Sequence, residues 1–208
     1  AVKALVVAAS PANEPRAVGS KVVAALDKEG RLFVAMDGAV RTFQSPGEGH
    51  FDVSPDGLRA WVGFQNSLHE ADLSRDVVTW RSFAVAGAND DWVSSVARVD
   101  DEHVLVRFGK TLRLLRREGE GWAPLQSTTV PEKSTVTSCV MNRCVALATP
   151  SELKLLSVHG GKLRTLAKAP MPKLKHKVLG MVRAVETLEG EVWLDPNRVE
   201  FMQVSWRA

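Results

Sequence analysis

The residue types that could carry chemistry are present in this sequence, but their spacing does not match a known kind of active site. The five histidines are scattered, and neither an HxH nor an HExxH pair occurs. His69, Glu70 and Asp72 supply three kinds of metal ligand, yet on a strand His69 and Glu70 point to opposite faces. Glycine-rich phosphate loops and the GxSxG nucleophile turn are also missing. We therefore expect a non-enzymatic protein with no metal site and no cofactor, and a solvent-facing strand at 69–72.

An acidic pair beside a tryptophan is the first candidate binding feature. Asp90, Asp91 and Trp92 lie between two strand-rich stretches of the chain. Glycosidases use two carboxyl groups about 5–9 Å apart, and adjacent residues of one loop do not supply that geometry. We interpret the three residues as part of a protein-binding surface. A carbohydrate-binding or glycoside-processing protein is the alternative, because an aromatic loop residue can stack on the face of a sugar ring.

A basic stretch follows at 168–177, where four lysines and one histidine occur within ten residues. Pro170 and Pro172 favour an extended loop over a helix. No aromatic side chain accompanies the lysines, so single-stranded nucleic acid is not the favoured ligand. We expect an electrostatic contact with another protein that has an acidic surface, and a solvated connection between strands is the alternative. The residues assigned to this contact are Lys173, Lys175, His176 and Lys177.

The composition is that of a single globular domain over residues 1–208. Hydrophobic residues make up 45% of the chain, and the net charge of +3 is too small to indicate nucleic acid. No apolar run reaches the ~18 residues of a membrane span. A cytoplasmic location is the preferred interpretation, with a secreted or periplasmic mature chain left open.

Cys139 and Cys144 are the two cysteines of the chain. If Met141 and Asn142 form a two-residue hairpin turn, the cysteines face each other at a non-hydrogen-bonded pair, at the short end of disulfide geometry. If the turn is shifted by one residue, they cannot bond. Two small buried thiols in a sheet are the simpler prediction.

A repeated pattern of short apolar strands runs through the chain. Each unit has three strands, joined first by an acidic or glycine turn and then by a small or polar turn. The five units cover residues 21–43, 50–73, 96–117, 138–158 and 180–204. Their middle strands are marked by Val34, Val62, Val106, Leu147 and Leu194, at spacings of 28, 44, 41 and 47 residues.

Additional strands fit between the units. Residues 77–85, 122–128 and 163–168 are each long enough to form a fourth strand, whereas the gap after the first unit is too short for one. The sequence therefore predicts three strands in the first unit, with a degenerate outer strand as the alternative. Residues 110–118 are assigned to a strand, although their composition also suits a helix.

The turn in the second unit carries a family resemblance. Residues 51–63 read FDVSPDGLRAWVG, in which Pro55 presets the turn, Asp56 caps it and Gly57 takes the left-handed conformation. This segment resembles a repeat of the WD40/YVTN type, and the other units share its strand order with degenerate turns. The resemblance implies a β-propeller, whose blades repeat about every 40–50 residues. Propellers support many activities, so the fold by itself selects none.

Five units account for the chain length, and we expect an all-β, five-bladed propeller. Residues 5–9 form a further strand, which would pair near residues 201–204 and close the ring. An incomplete ring, or a part of a larger propeller, is the alternative. We expect one face to gather the loops between blades and the turns between second and third strands, and to bind another protein. Its candidate residues are Arg16, Asp37, Gln65, Asn66, Asp90, Asp91, Trp92, Lys110, Lys133, Lys173, Lys175, His176 and Lys177.

Overall fold

Strands and turns make up the part of the chain that the structure describes. The computed structural model describes residues 11–17, 22–85, 87–88, 91–139, 144–171, 183–186, 192–195 and 202–204. These residues contain 19 strands and no helix. Accordingly, the described part of the chain has no helix that is long and apolar enough to cross a membrane.

The strands form five antiparallel sheets, and within each sheet the strands follow one another in sequence order. The first sheet contains β1 (Pro11–Ala17), β2 (Val22–Asp27), β3 (Arg31–Met36) and β4 (Ala39–Gln44). The second contains β5 (His50–Val53), β6 (Arg59–Phe64), β7 (Ser67–Asp72) and β8 (Trp80–Ala84). The third contains β9 (Val93–Arg98), β10 (His103–Phe108), β11 (Thr111–Glu118) and β12 (Gly121–Thr129). The fourth contains β13 (Thr135–Ser138), β14 (Cys144–Ala148), β15 (Glu152–His159) and β16 (Lys162–Pro170). The fifth contains β17 (Arg183–Glu186), β18 (Val192–Asp195) and β19 (Met202–Val204).

The third strands of the first four sheets share one burial pattern. In β3, β7, β11 and β15 the second, fourth and fifth residues are buried. The residue after each fourth strand also donates its N–H to the turn between the second and third strands. These bonds join Ser45 to Gly30, Val85 to Asn66, Val130 to Lys110 and Met171 to Ser151. Each of these four sheets therefore repeats the same four-stranded unit.

This equivalence corrects the predicted assignment of the first unit. The prediction of three strands there was wrong, because β1 supplies a first strand and β4 is the fourth. Leu26 lies four residues before Gly30, and Val62 lies four residues before Asn66, the turn residue that accepts the equivalent bond. Leu26, and not Val34, therefore occupies the position of Val62. Leu26 is fully buried at that position. The fourth strands predicted in the other gaps are confirmed as β8, β12 and β16, and residues 111–118 form strand β11.

The core lies between neighbouring sheets. Leu26 and Phe51 belong to the cluster between the first and second sheets. Trp61 and Val104 belong to the cluster between the second and third sheets. A third cluster fills the space between the third and fourth sheets, and Leu105 is part of it. Burial of apolar side chains between sheets is therefore the main force that holds adjacent sheets together.

A buried carboxylate joins the innermost strands of two sheets. Asp52 on β5 is fully buried, and its Oδ1 accepts the N–H of Val53 at 2.9 Å. Its Oδ2 accepts the N–H of Arg98 on β9 at 2.7 Å. Asp52 thus satisfies a backbone donor of the next sheet, which fixes how β5 and β9 lie beside each other.

The turns and connections fall at two ends of the sheets, which we call the upper and lower faces. The upper face contains the second-to-third-strand turns 28–30, 65–66, 109–110 and 149–151, with the described residues of the connections 45–49, 85–92 and 130–134. The lower face contains the first-to-second-strand turns 54–58 and 99–102 and the third-to-fourth-strand turns 37–38, 73–79, 119–120 and 160–161. A backbone bond of 2.8 Å from Leu73 to Leu58 joins two of these lower turns, and another of 2.8 Å joins Arg117, near the end of β11, to Glu102 in the turn 99–102.

The turn at residues 54–57 has the geometry that its sequence predicts. Gly57 has φ +74°, and Asp56 Oδ1 accepts the N–H of Leu58 at 3.0 Å. A Cβ at Gly57 would lie 3.1 Å from Met36 Sδ.

We expect Gly57→Val to lower the free energy of unfolding by about 1–3 kcal/mol, because a β-branched residue is disfavoured at positive φ. Urea denaturation followed by tryptophan fluorescence measures the change. Leu58→Val is the matched control, since it places the same side chain next to the turn on an exposed residue. Equal unfolding midpoints for the two variants would contradict the turn assignment.

Cys139 and Cys144 face each other in the fourth sheet. The N–H of Cys139 donates to the carbonyl of Cys144 at 3.1 Å, so they form a hydrogen-bonded pair and not the non-hydrogen-bonded pair of the predicted hairpin. Both are buried, and no disulfide joins them. The prediction of two buried thiols is confirmed, whereas the turn at Met141 and Asn142 lies outside the described residues.

Candidate functional site

The connection between the second and third sheets is fixed to the turn beside it. The N–H of Val85 donates to the carbonyl of Asn66 at 3.0 Å, and the N–H of Val93 donates to the carbonyl of Gln65 at 2.6 Å. Between them, the N–H of Asp91 donates to the carbonyl of Ala88 at 2.5 Å. Hydrogen bonds on both sides of Trp92 therefore hold its backbone in place.

Trp92 is the most exposed tryptophan or phenylalanine side chain among the described residues. It is 65% exposed, and its ring meets that of Phe64 at 6.1 Å between centroids and an angle of 72°. Phe64 is itself supported, because it lies directly against Gly47 and 6.4 Å from the ring of His69. Trp92 thus presents most of its surface to solvent from a packed aromatic base.

His69 belongs to the base of this aromatic group. Burial lowers the pKa of His69, while a hydrogen bond with the Phe64 backbone acts in the opposite direction. The imidazole is therefore neutral at pH 7 and packs as an aromatic ring. Within the ranges that the structure describes, no group of three or more His, Cys, Asp or Glu side chains is arranged to hold a metal ion.

Asp91 lies against the next turn of the upper face. A Cβ at Gly109 would come within 2.5 Å of Asp91 Oδ2, so the carboxylate rests on the turn formed by Gly109 and Lys110. Lys110 and Asp91 are both exposed. The structure therefore brings Asp91, Trp92 and Lys110 to the same face, together with the turn at 65–66.

Two other predicted site residues lie away from the upper face, and five lie outside the residues that the structure describes. Arg16 pairs with Ala24, on the half of β1 that leads into β2. This end of the first sheet is opposite the turn at 28–30, so Arg16 does not belong to the upper face. Asp37, with φ +50°, lies in a third-to-fourth-strand turn and so belongs to the lower face. The residues outside the described ranges are Asp90, Lys173, Lys175, His176 and Lys177.

A buried arginine fixes the next connection to the third sheet. Arg107 is 8% exposed and donates to Ser94 Oγ and to the carbonyl of Gly109, both at 2.8 Å. It also donates to the carbonyl of Glu132. Burial lowers the pKa of the Arg107 guanidinium, and the charge of Glu132 opposes this. Arg107 holds the loop that carries the exposed Lys133.

The sequence reasoning missed a charged group between the second and third sheets. Glu70 on β7 is 2% exposed, and its carboxylate pairs with Arg117 of β11. The Trp122 indole N–H donates to Glu70 Oε2 at 3.2 Å, and Arg81 Nη2 lies 3.7 Å from the same oxygen. The guanidinium of Arg117 also lies 4.5 Å from the centroid of the Trp122 ring. The prediction of a solvent-facing strand at 69–72 is therefore wrong for Glu70.

Comparisons with known proteins identify the type of fold. No protein-family model and no curated protein sequence matches the chain. The Mitotic Checkpoint Complex crystal structure aligns with 91% of the chain at 15% identity and a TM-score of 0.59. A Bacteroides caccae protein of unknown function aligns with 88% at 13% identity and 0.57. Virginiamycin B lyase from Staphylococcus aureus aligns with 89% at 9% identity and 0.56.

These neighbours are propeller-type proteins, and the chain spans 61%, 69% and 67% of their respective lengths. One of them is an enzyme, so the likeness concerns the fold and not an activity. The sequential four-stranded antiparallel sheets agree with that fold. The chain is an all-β protein of the β-propeller type.

Proposed function

We propose that this protein is a non-enzymatic binding or scaffolding module that presents its upper face to another protein. The exposed ring of Trp92 on a fixed backbone is the observation that carries this proposal. Tryptophan is enriched among the residues that dominate binding energy at protein interfaces. Because hydrogen bonds already hold the backbone around Trp92, little conformational entropy is lost when a partner covers the ring.

The basic segment at 173–177 supplies the second part of the proposed contact. It follows β16 and precedes β17 in the sequence, as the segment with Trp92 follows β8 and precedes β9. We therefore assign it to the same face, opposite an acidic surface of the partner. An acidic-aromatic region and a basic region on one face would fix the orientation of the partner.

The test compares capture of a partner by the wild-type protein and by variants. In a quantitative pull-down from the source organism, we expect Trp92→Ala to lower recovery of the specific partner by at least about tenfold. Val77→Ala is the control, because Val77 is 80% exposed on the lower face. Replacing Lys173, Lys175 and Lys177 by glutamate should slow association, and wild-type affinity should fall with salt. Recovery that is indifferent to all these changes would refute the proposed face.

We also propose that five blades form a ring that the N-terminal strand closes. The fifth sheet has three strands among the described residues, and residues 5–9 carry the apolar pattern of a further strand. A strand added beside β19 would cover its open edge. The alternative of an incomplete or larger ring is supported by the greater length of the structural neighbours.

Deletion of residues 1–9 separates these alternatives. A ring closed by this strand should lose cooperative unfolding and aggregate when the strand is removed, because a sheet edge is then exposed. Size-exclusion chromatography and thermal denaturation measure both effects. A truncated protein that stays monomeric and equally stable would show that residues 5–9 do not close the ring.

A further inference from the structure

One backbone bond closes the connection from the first to the second strand in three of the sheets. The residue directly after the first strand donates its N–H to the carbonyl of the residue that begins the second strand. These bonds join Ser54 to Arg59 at 2.9 Å, Val99 to His103 at 2.9 Å, and Cys139 to Cys144 at 3.1 Å. The two cysteines therefore occupy the positions that close the lower end of β13 and β14.

Polar side chains reinforce the same positions in the second and third sheets. Ser54 Oγ accepts the N–H of Arg59 at 2.9 Å and donates to Asp56 Oδ1. In the third sheet, Asp100 Oδ1 lies 2.9 Å from His103 Nδ1. The fourth sheet has two thiols at the closing positions instead. Because a thiol is only a weak hydrogen-bond donor, the strong interaction that two facing thiols can add is a covalent one.

The placement of the two thiols suits a covalent bond between them. Both cysteines belong to one buried cluster, together with Ala146, Leu153 and Leu155, so they lie on the same face of the fourth sheet. The Cα atoms of a hydrogen-bonded antiparallel pair are about 5.5 Å apart, within the range of about 4.4–6.8 Å found for disulfides. The Cβ atoms must approach slightly, and such strain makes a disulfide easier to reduce.

We infer that Cys139 and Cys144 form a reversible redox-modification site, which a small-molecule disulfide such as oxidised glutathione converts to an intramolecular disulfide. The residues are 3% and 2% exposed, so the reagent reaches them when this end of the sheet opens locally. Oxidation is therefore slow, and the product is a covalent clasp on the lower end of the fourth sheet. This inference is independent of the binding surface proposed on the upper face.

The exchange takes place in two steps. The thiolate of one cysteine attacks a sulfur of oxidised glutathione, which forms a mixed disulfide and releases one glutathione thiolate. The second cysteine then attacks the protein sulfur of that mixed disulfide and releases the other glutathione thiolate. Two electrons pass from the cysteines to glutathione, and the two thiol protons end on two molecules of reduced glutathione.

The test equilibrates the folded, full-length protein with mixtures of reduced and oxidised glutathione. Each sample is quenched in acid, unfolded, alkylated with N-ethylmaleimide and weighed by intact mass spectrometry. We expect a transition from a form with two maleimide adducts to a form with none, which is two hydrogens lighter than the reduced chain and monomeric on a non-reducing gel. Dithiothreitol added to the folded protein should reverse it.

A variant that moves one thiol by a single residue is the matched control. Ser138 pairs with Val145, so its side chain and that of Cys144 point to opposite faces of the sheet. In the double variant Ser138→Cys with Cys139→Ser, half-oxidation to an intramolecular disulfide should need at least about tenfold more oxidised glutathione than in the wild type. In concentrated urea the two chains should oxidise alike, because their cysteine spacings are nearly equal.

Four results would each overturn the inference. They are oxidation of the wild type in urea only, a stable mixed disulfide with glutathione, covalent dimers, and equal oxidation of the two folded chains. The first three are measured on the wild type alone, so they decide the matter even if the double variant does not fold.

Discussion

Replacing Glu70 by alanine should lower the free energy of unfolding by about 3–5 kcal/mol, the range for removing one partner of a buried ion pair. Glu70 and Arg117 have side-chain exposures of 3% and 20%. Without Glu70, the guanidinium of Arg117 would be left without this ion pair while remaining largely shielded from water. The Trp122 indole would also lose its acceptor. Urea denaturation measures the loss, and hydrogen exchange should show that it extends to both β7 and β11.

Glu120→Ala is the control for this variant. Glu120 also pairs with Arg81, at 3.7 Å, but its side chain is 94% exposed, so its removal should leave the unfolding midpoint unchanged. The double variant Glu70→Met with Arg117→Met should be more stable than Glu70→Ala, because no buried charge is left unpaired. If Glu70→Ala unfolds at the wild-type midpoint, the carboxylate does not hold the two sheets together.

Gly49→Ala should destabilise the protein by about 1–3 kcal/mol or more, the usual range for overpacking. A Cβ at Gly49 would lie 2.1 Å from the carbonyl oxygen of Gly63. The obstructing atom belongs to the backbone of β6, so no side-chain rotation can relieve the contact. The connection from the first sheet would have to move away from the second sheet, on the same side of the molecule as Phe64 and Trp92.

Gly121→Ala isolates this steric effect. The atom nearest to a Cβ at Gly121 is 3.8 Å away, and the residue does not have positive φ, so that substitution should change stability by less than about 0.5 kcal/mol. Thermal denaturation of both variants gives the comparison. Equal melting temperatures would mean that the backbone near Gly49 is loosely packed.

Strand positions could be predicted from the sequence because alternating apolar residues and turn residues are local signals. The error in the first unit has a physical cause. Residues 31–36 form a third strand, but their apolar pattern resembles that of a second strand, so Val34 was aligned with Val62. The interactions that distinguish the two strands are made across the sheet, as between Ser45 and Gly30, and no local pattern encodes them.

The same limit explains which parts of the candidate site were predicted. Asp91, Trp92 and Lys110 are polar or aromatic residues beside turn signals, so their position at strand ends could be read locally. Glu70 is buried because Arg117 and Trp122 approach it, and they lie 47 and 52 residues later in the chain. One signal was available: Glu70 occupies the fourth position of its strand, where the third and fourth sheets have a buried leucine.

The sequential order of strands within each sheet has a consequence for how the chain folds. Within the described ranges, every strand pair is made by segments that are neighbours in sequence, so each of these pairings closes a short loop at a small cost in entropy. The proposed closure of the ring by residues 5–9 would be a long-range pairing. Docking of one sheet on the next comes later, since it must bring the inter-sheet clusters together. The second sheet ends at residue 84. During synthesis the second sheet can therefore form before the ribosome has made the third sheet. Its apolar face then stays exposed to solvent, and prone to aggregation, until the third sheet packs against it.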